Sequence, residues 1–376
     1  MSKYIDSKWS KFYKELPHKE PPFSKKNWGH PNHSLCSYQG KLKPAIAHHL
    51  VKTFVPQGGS LFDPFAGVGT IPFEAALNGK VAYGMDISPL AYYVSNAKLH
   101  RCTLEECQQV LNNLQEYINT VQLPQDYINT NSQFGFNKSL SEYYNERTFL
   151  EILASRAFFH ENVPHSPAEM MVISSLLHIL HGNRPYALSR KSHPIVPYAP
   201  TGESIYKNLI QKVSEKVERA ISEPYPKHFA EGEIYLRDST LEWPDEINEI
   251  DAIITSPPFY DSTRFYLANW IRLWFTGWNQ EDFDVKPAQY VDERQKDSFD
   301  VYDRIFQQAK DRLANGGYFV MHLGKSDKCD MGKVLQQRAK KWFSRTRLYD
   351  ESVAECAKFG IADLGGVTSH EYLIME

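Results

Sequence analysis

The sequence predicts an α/β fold built on a mostly parallel sheet, and three observations support this prediction. An apolar strand at Ser60–Phe62 runs through Asp63 into a Gly-x-Gly turn and a helix, the first unit of a doubly wound sheet. A second strand, 81–85, ends in Asp86, nineteen residues after Gly67. Apolar, strand-like runs then resume near residue 230 and continue towards the end of the chain.

The turn after the first strand has the residues of a nucleoside-binding loop. Glycines at 67 and 69 lack a Cβ, so we expect the backbone to come close to a ligand there. The third glycine of a dinucleotide fingerprint would fall at Pro72, which argues against a dehydrogenase. Asp63, directly before the turn, disfavours a pyrophosphate and suits a cationic ligand. With Asp86 as a ribose-binding carboxylate, the loop fits S-adenosylmethionine.

The other elements follow from apolar periodicity and from turn and capping residues. Pro44 is well placed to begin a helix, and 56–59 (Pro-Gln-Gly-Gly) to end it. Residues 315–317 (Asn-Gly-Gly) have the pattern of a helix C-cap, whereas 124–137 resembles a loop. The sequence predicts helices at 45–54, 71–77, 103–121, 139–160, 165–181, 206–221, 266–276 and 302–314, and further strands at 234–236, 250–254, 318–323 and 370–374.

A run of helices interrupts the α/β pattern and divides the chain. We predict a catalytic domain made of residues 36–100 and 230–376, with 101–229 as a helical insertion. Residues 1–35 form an N-terminal arm rich in lysine and aromatic residues. Such an arm fits either contact with a nucleic-acid backbone or packing over the core.

The strand at 250–254 runs into an unusual loop, Thr255-Ser256-Pro257-Pro258-Phe259-Tyr260. Two consecutive prolines cannot continue a central strand, and they fix the direction in which the backbone leaves it. The loop is therefore stiff and presents a hydroxyl, carbonyls and aromatic faces. These groups suit a flat ring that carries an amine.

Two motifs in the chain resemble those of the amino-methylating DNA methyltransferases. The cofactor loop Asp63–Thr70 (Asp-Pro-Phe-Ala-Gly-Val-Gly-Thr) and the catalytic loop Ser256–Phe259 (Ser-Pro-Pro-Phe) match the family signatures over their full length. The resemblance covers roughly residues 33–100 and 230–376. It implies a class I (Rossmann-like) methyltransferase fold with a mostly parallel seven-stranded sheet, flanking helices and a largely helical insertion.

The resemblance also implies the residues of a cofactor site. Tyr38, Lys41 and Pro44 match the helix that helps to hold the methionine end, and the acid after the 234–236 strand often accepts a hydrogen bond from the adenine amine. The cofactor is S-adenosylmethionine, the product S-adenosylhomocysteine, and no metal is expected. The implied cofactor residues are Tyr38, Lys41, Pro44, Asp63, Pro64, Phe65, Ala66, Gly67, Gly69, Thr70, Asp86, Ile87, Asp238 and Ser239.

The catalytic loop would act on the exocyclic amine of a base flipped out of the DNA duplex. The Ser256 hydroxyl and the Pro257 carbonyl can accept the two amine hydrogens, so that the nitrogen lone pair is localised. Pro258 stiffens the loop and Phe259 can stack on the base. Because a sulfonium is a good leaving group, neither a metal nor a strong base is required.

Three kinds of acceptor remain open. In the resembled family, serine before the prolines is associated with cytosine N4, and aspartate or asparagine with adenine N6. An RNA amino-methyltransferase of the transfer-RNA guanine-N2 type is a further alternative, because some of these enzymes have a similar loop. A non-catalytic nucleic-acid-binding scaffold is disfavoured by the intact Asp63 and Ser256.

A sequence-specific enzyme also needs a surface that reads its target. We place this surface on the 183–202 loop of the insertion, although the resembled families usually have the target-recognition segment elsewhere. The expected partners are double-stranded DNA and a cognate restriction endonuclease. The candidate DNA contacts are Arg184, Tyr186, Ser189, Arg190, Lys191, Ser192, His193, Tyr260 and Arg264.

Composition restricts the compartment and the partners. The 376 residues carry a net charge of −3, so a polyanion would have to meet a local basic surface. The five cysteines are scattered without zinc-ligand spacing, which fits a reducing cytoplasm. No apolar run reaches the length of a membrane span, and the N-terminus does not resemble a secretory signal.

Overall fold

The fold is organised around one seven-stranded sheet. A computed structural model of the chain describes residues 10, 12, 17–25, 28–194, 196–260, 264–352 and 366–376. Within these ranges the strand order is β3-β2-β1-β4-β5-β7-β6, with β7 antiparallel to both neighbours and the other pairs parallel. This is the strand order of the class I methyltransferase fold, so the predicted fold class is confirmed. The strands are β1 (Ser60–Asp63), β2 (Val81–Asp86), β3 (Glu233–Leu236), β4 (Ile250–Thr255), β5 (Leu313–Ser326), β6 (Thr346–Ser352) and β7 (Val367–Met375).

Helices cover both faces of the sheet and form the insertion. Several begin with proline in the first turn, where the missing N–H leaves no helical bond unmade. The α-helices are α1 (Pro44–Phe54), α2 (Thr70–Leu77), α3 (Pro89–Leu99), α4 (Leu104–Thr120), α5 (Gln125–Gln133), α6 (Leu140–Tyr143), α7 (Glu146–Glu161), α8 (Pro167–Ile179), α9 (Leu209–Ile221), α10 (Phe265–Ala268), α11 (Trp270–Phe275), α12 (Gln280–Val285), α13 (Val291–Asp297), α14 (Asp303–Arg312) and α15 (Met331–Ala339).

The structure corrects three of the predicted elements and adds a strand that was not predicted. The loop expected at 124–137 contains α5, a polar helix with weak apolar periodicity. The helix expected at 139–160 is two helices, because Asn145 accepts a hydrogen bond from the Arg147 N–H and caps a new helix. The helix expected at 266–276 breaks at Asn269. Strand β6 was not located from the sequence, because its charged and polar residues lack a continuous apolar run.

Alternate residues of the central strands enter different cores, as the period of two in a strand requires. Leu61 and Ile254 pack with α1 and α2 on one face of the sheet. Phe62 and Ile253 pack with α14 and α15 on the other face. Both faces of these parallel strands are therefore buried, which explains why the strands appear in the sequence as short, continuous apolar runs.

The insertion shares a core with the catalytic domain. Its helices α4, α7, α8 and α9 bury apolar side chains against α3, through Leu90 and Val94, and against α11, through Trp270 and Trp274. The described residues 101–229 are thus packed onto the side of the sheet that carries α3.

Arg272 is the polar link between these parts. Its side chain is fully buried, and its guanidinium donates to the carbonyl oxygens of Leu177 at 3.0 Å and Ser37 at 2.8 Å, and to Asn269 Oδ1 at 2.8 Å. Leu177 belongs to the insertion, whereas Ser37 directly precedes Tyr38. One side chain therefore connects the insertion to the segment before the cofactor loop.

Part of the described N-terminal arm, at residues 12, 18 and 19, lies against the β6 and β7 edge of the sheet. His18 Nε2 and Lys19 Nζ each lie 3.0 Å from Glu351 Oε1, and all three side chains are buried. The Phe12 ring packs edge-on against Tyr372. Much of the basic character expected for the arm lies outside the described residues, at Lys3, Lys8, Lys11, Lys14 and Lys26.

Replacing Arg272 by leucine should destabilise the fold. The change would leave the Leu177 and Ser37 carbonyls without their buried donor, at about 1–3 kcal/mol for each unsatisfied group. We expect the free energy of unfolding, measured by urea titration, to fall by roughly 3 kcal/mol or more. Arg304 is an exposed arginine, so Arg304→Leu is the matched control and should change stability by less than about 0.5 kcal/mol. Equal losses in the two variants would contradict the role given to Arg272.

Candidate active site

A cavity of about 870 Å³ opens at the carboxyl ends of β1, β2 and β4. The strand order reverses between β1 and β4, and ligands of open α/β sheets bind at such a switch point. The cavity brings together the two sequence motifs and the segment before α1. Its lining includes the predicted residues Tyr38, Lys41, Asp63, Phe65, Ala66, Gly67, Thr70, Asp86, Ile87, Asp238, Ser239, Ser256, Pro257, Pro258, Phe259 and Tyr260.

Three of the predicted cofactor residues lie behind the cavity wall. Pro44 begins α1, and the Pro64 carbonyl accepts a hydrogen bond from the Ser239 hydroxyl. Gly69 has a positive φ of 70°, and a Cβ there would lie 2.9 Å from Ser95 Cβ on α3. This glycine therefore makes room for a neighbouring helix, and its contact with a ligand stays a prediction.

Gly67 lies at the cavity surface and is held in place by Asp86. Its φ is +50°, and its N–H donates to Asp86 Oδ2 at 2.9 Å, while Ser88 N–H donates to Asp86 Oδ1 at 2.9 Å. A Cβ at position 67 would meet the Tyr38 ring at 3.5 Å. Asp86 thus shapes the loop as well as lining the cavity, and each of its oxygens can accept a further hydrogen bond.

Buried carboxylates make one wall of the cavity acidic. Burial raises the pKa of Asp63 to about 7 and that of Asp86 to about 6. Asp292, which no motif indicated, lines the same cavity, and burial followed by the charge of Glu293 raises its pKa. A cationic ligand would stabilise the ionised form of all three groups. Carboxylates of this kind suit the sulfonium and ammonium groups of S-adenosylmethionine.

Two other predicted cofactor residues are already hydrogen-bonded within the protein. The Lys41 ammonium donates to the His33 carbonyl at 2.6 Å, so it helps to fix the segment before α1. Asp238 Oδ1 accepts from the Thr240 N–H and hydroxyl, both at 2.8 Å, and Oδ2 lies 3.3 Å from Arg294 Nη1. Asp238 nevertheless reaches the cavity at the end of β3, where the resemblance places an adenine contact.

The catalytic loop is fixed at both of its ends. At its start, Thr255 Oγ1 donates to Asp63 Oδ1 at 2.6 Å, and both residues are buried. Further along, Gln295 Nε2 donates to the Pro258 carbonyl at 3.1 Å, and the Tyr302 hydroxyl holds Gln295 Oε1 at 2.9 Å. The sequence predicted no role for Thr255, although it belongs to the loop motif, and none for Gln295.

Phe259 packs against β5 at a glycine. A Cβ at Gly324 would lie 2.8 Å from Phe259 Cε2, so only glycine leaves room for the ring in this position. The centroids of Phe259 and His322 are 5.6 Å apart. His322 in turn lies 3.1 Å from the Ser256 hydroxyl, measured from Nδ1 to Oγ. In the sequence, this contact is indicated by a histidine within the predicted apolar strand 318–323, for which no role was predicted.

The candidate DNA contacts separate into two groups. Ser189 and Ser192 are buried, and the Arg190 guanidinium bonds the carbonyls of Gly202 and Glu142, so these side chains maintain the 183–202 loop. Tyr186 is half-buried against the His178 ring. The remaining candidates are exposed or border the cavity: Arg184, Lys191, His193, Tyr260 and Arg264, of which Arg264 Nε lies 3.8 Å from Glu293 Oε1.

Membrane-spanning helices and metal-binding clusters are both absent from the described residues. No helix in the described ranges is long and apolar enough to cross a membrane. The same ranges hold no cluster of three or more His, Cys, Asp or Glu side chains with the geometry of a metal site.

Two sequence comparisons find similarity to methyltransferases over part of the chain. Residues 31–129 match the family model UPF0020, the RMKL-like methyltransferase domain. A segment of 79 residues, 21% of this chain, is 28% identical to the type II methyltransferase M.MjaII of Methanocaldococcus jannaschii. That segment spans only 15% of the relative's length.

Solved methyltransferase structures align with most of this chain, at low sequence identity and low TM-scores. An rRNA methylase from Streptococcus thermophilus aligns with 89% of this chain and 97% of its own at 8% identity and a TM-score of 0.34. TrmN from Thermus thermophilus aligns with 92% and 52%, at 11% identity and a TM-score of 0.34. Scores this low add nothing to the fold assignment, which rests on strand order. The strand order is that of the class I methyltransferase fold, residues 31–129 match a methyltransferase domain, and the acidic cavity lies at the glycine loop.

Proposed function

We propose that this enzyme methylates the exocyclic amine of a base in nucleic acid, with cytosine N4 in DNA as the first candidate. The observation that carries the proposal is the position of the Ser256-Pro257-Pro258-Phe259 loop. It forms part of the same cavity as Asp63 and Gly67, next to the cofactor loop. A hydroxyl, a carbonyl and an aromatic face therefore border the space where a methyl donor would be bound.

The chemistry needs little from the protein beyond positioning. Bound S-adenosylmethionine supplies an electrophilic methyl group and a good leaving group. The amine of cytosine is a weak nucleophile, because its lone pair is delocalised into the ring. Ser256 Oγ and the Pro257 carbonyl would accept its two hydrogens and favour a pyramidal nitrogen. Positioning of this kind contributes most when the reacting groups are held rigidly, as the double proline and the Gln295 hydrogen bond achieve.

Cytosine N4 in DNA is favoured by two observations. Serine precedes the prolines, and a 79-residue segment is similar to a type II methyltransferase. Adenine N6 and a guanine amine in RNA present the same kind of nitrogen, so the loop alone does not distinguish them. We propose the insertion, residues 101–229, as the target-recognition region, with Arg184, Lys191 and His193 as exposed groups for phosphate or base contacts.

Mass analysis of nucleosides tests the acceptor directly. The purified enzyme would be incubated with labelled S-adenosylmethionine and either duplex DNA or total RNA, and the digested nucleosides would then be separated. We expect the label in N4-methylcytosine from DNA. Label in RNA alone would overturn the DNA proposal, and label in N6-methyladenine would replace cytosine by adenine.

Ser256→Ala should separate chemistry from cofactor binding. The variant loses the hydrogen-bond acceptor for the amine, and we expect turnover to fall by about 10²–10³-fold, the loss typical of removing one preorganised hydrogen bond at a reacting centre. Its Kd for S-adenosylmethionine, measured by calorimetry, should stay within about twofold. Ser214, an i,i+4 partner of Glu218 on the exposed face of α9, provides the control Ser214→Ala, which should keep full turnover. Normal turnover in Ser256→Ala would show that the role given to this hydroxyl is wrong.

Because the cavity is acidic, we expect its preference for S-adenosylmethionine over S-adenosylhomocysteine to depend on pH. As pH rises from about 5 to 8, Asp63 and Asp86 ionise, and their charge favours the sulfonium of S-adenosylmethionine over the neutral sulfide of S-adenosylhomocysteine. We expect the ratio of the two Kd values to move in favour of S-adenosylmethionine by about 5–30-fold, equivalent to roughly 1–2 kcal/mol. Asp63→Asn keeps the shape of the side chain and should reduce the effect. A ratio that does not change with pH would contradict this electrostatic account.

A further inference from the structure

His322 lies beside the catalytic loop because β4 and β5 are parallel neighbours. Thr255 pairs with Met321. Ser256, which directly follows β4, and His322, which follows Met321 within β5, therefore lie side by side. The distance from Ser256 Oγ to His322 Nδ1 is 3.1 Å. His322 is 3% exposed and lines the same cavity as Ser256 and Phe259.

The bonding of His322 differs from that of the other buried histidines near the sheet. His18 is paired with Glu351 and His33 with Glu74, so one ring nitrogen of each is bonded to a carboxylate. His322 Nδ1 faces a serine hydroxyl at the cavity wall, and its Nε2 is buried without a hydrogen-bond partner among the described residues. The imidazole is therefore not part of a buried ion pair, and its one observed hydrogen bond is directed at the catalytic loop.

The surroundings of His322 keep the ring neutral and fixed. Burial, followed by the charge of His370 on β7, lowers its pKa well below the usual range, whereas Glu351 on β6 acts in the opposite direction and His18 in the same direction as burial. The ring stacks on His370 with centroids 4.9 Å apart and meets Tyr372 edge-on at 5.2 Å. A neutral imidazole has one nitrogen that accepts a hydrogen bond, and a stacked ring holds that nitrogen in one direction.

We propose that His322 is a positioning residue for amine methylation: its Nδ1 accepts the Ser256 hydroxyl hydrogen and, through that hydroxyl, takes up the proton that the amine loses. With its hydrogen directed at His322, Ser256 Oγ presents its lone pairs to the substrate amine. This inference rests on the proposed function, and it assigns the destination of the proton, which the Ser-Pro-Pro-Phe loop alone does not provide.

The proton balance follows from the reaction. The amine nitrogen forms a bond to the methyl carbon, and the electron pair of the broken carbon–sulfur bond remains on sulfur. The nitrogen then carries a positive charge and loses one proton to Ser256 Oγ, while the hydroxyl proton of Ser256 passes to His322 Nδ1. The imidazolium so formed is a strong acid in its buried position, so it releases the proton to water and the site returns to its starting state.

His322→Asn is the main test. Asparagine can place an oxygen or nitrogen near the position of Nδ1 and so keep a hydrogen bond to Ser256, but it cannot be protonated at neutral pH. We expect kcat to fall by about 10²-fold, the lower end of the range for general acid–base catalysis, with KM for the nucleic acid and Kd for S-adenosylmethionine within about threefold of wild type. His100→Asn removes a half-buried imidazole at the end of α3, outside the cavity lining and the insertion, and should keep wild-type kcat. A wild-type kcat in His322→Asn would overturn the inference.

A second measurement needs no methyl transfer. In the wild-type protein with ¹⁵N-labelled histidine, the His322 Nδ1 resonance, assigned by its absence from His322→Asn, should be that of an unprotonated ring nitrogen. It should shift in Ser256→Ala, which removes its donor. A protonated Nδ1 would overturn the proposed direction of the hydrogen bond. If no nucleic acid is methylated at all, the proposed function fails while this measurement still reports on the Ser256–His322 pair, so the two failures are distinguishable.

Discussion

The pairing of β1 with β4 is the constraint on which the site depends. Leu61 and Phe62 pair with Ala252 and Ile253, so the loops that follow the two strands emerge next to each other. The hydrogen bond from Thr255 to Asp63, between residues 192 positions apart in the chain, then fixes the distance between the cofactor loop and the catalytic loop. A methyl transfer needs its two reactants in line and in contact, so this local pairing determines whether the two motifs can act together.

The cost of building the cavity is electrostatic. Asp63, Asp86 and Asp292 are taken out of water, and burial raises the pKa of each. Their hydrogen bonds to backbone amides, such as Gly67 N–H to Asp86, offset part of this cost. A cationic ligand would offset more of it. Buried carboxylates that are costly to the fold are in this way suited to a cationic ligand, a competition between stability and function that is common at binding sites.

The catalytic loop is distinguished by the residues that hold it in place more than by reactive groups of its own. Gln295 holds the Pro258 carbonyl, Gly324 makes room for the Phe259 ring, and His322 lies within hydrogen-bond distance of Ser256. These three residues come from α13 and β5, both downstream of the loop itself. They surround a motif whose own residues supply a hydroxyl, carbonyls and an aromatic ring, and no strong acid or base.

The sequence alone predicts the fold class, which the structure confirms, and indicates a cofactor loop and a catalytic loop, because each depends on local chemistry: glycines in a tight turn, an acid at a strand end, and prolines that stop a strand. It did not locate β6, the breaks at Asn145 and Asn269, or the packing role of Gly69, because these depend on polar caps and on neighbours distant in the chain. Only the tertiary structure showed that Asp292 joins the acidic wall, that Ser189, Arg190 and Ser192 support their own loop, and that His322 faces Ser256. Such contacts between separate strands and helices are decided by register and packing, which no local pattern in the sequence encodes.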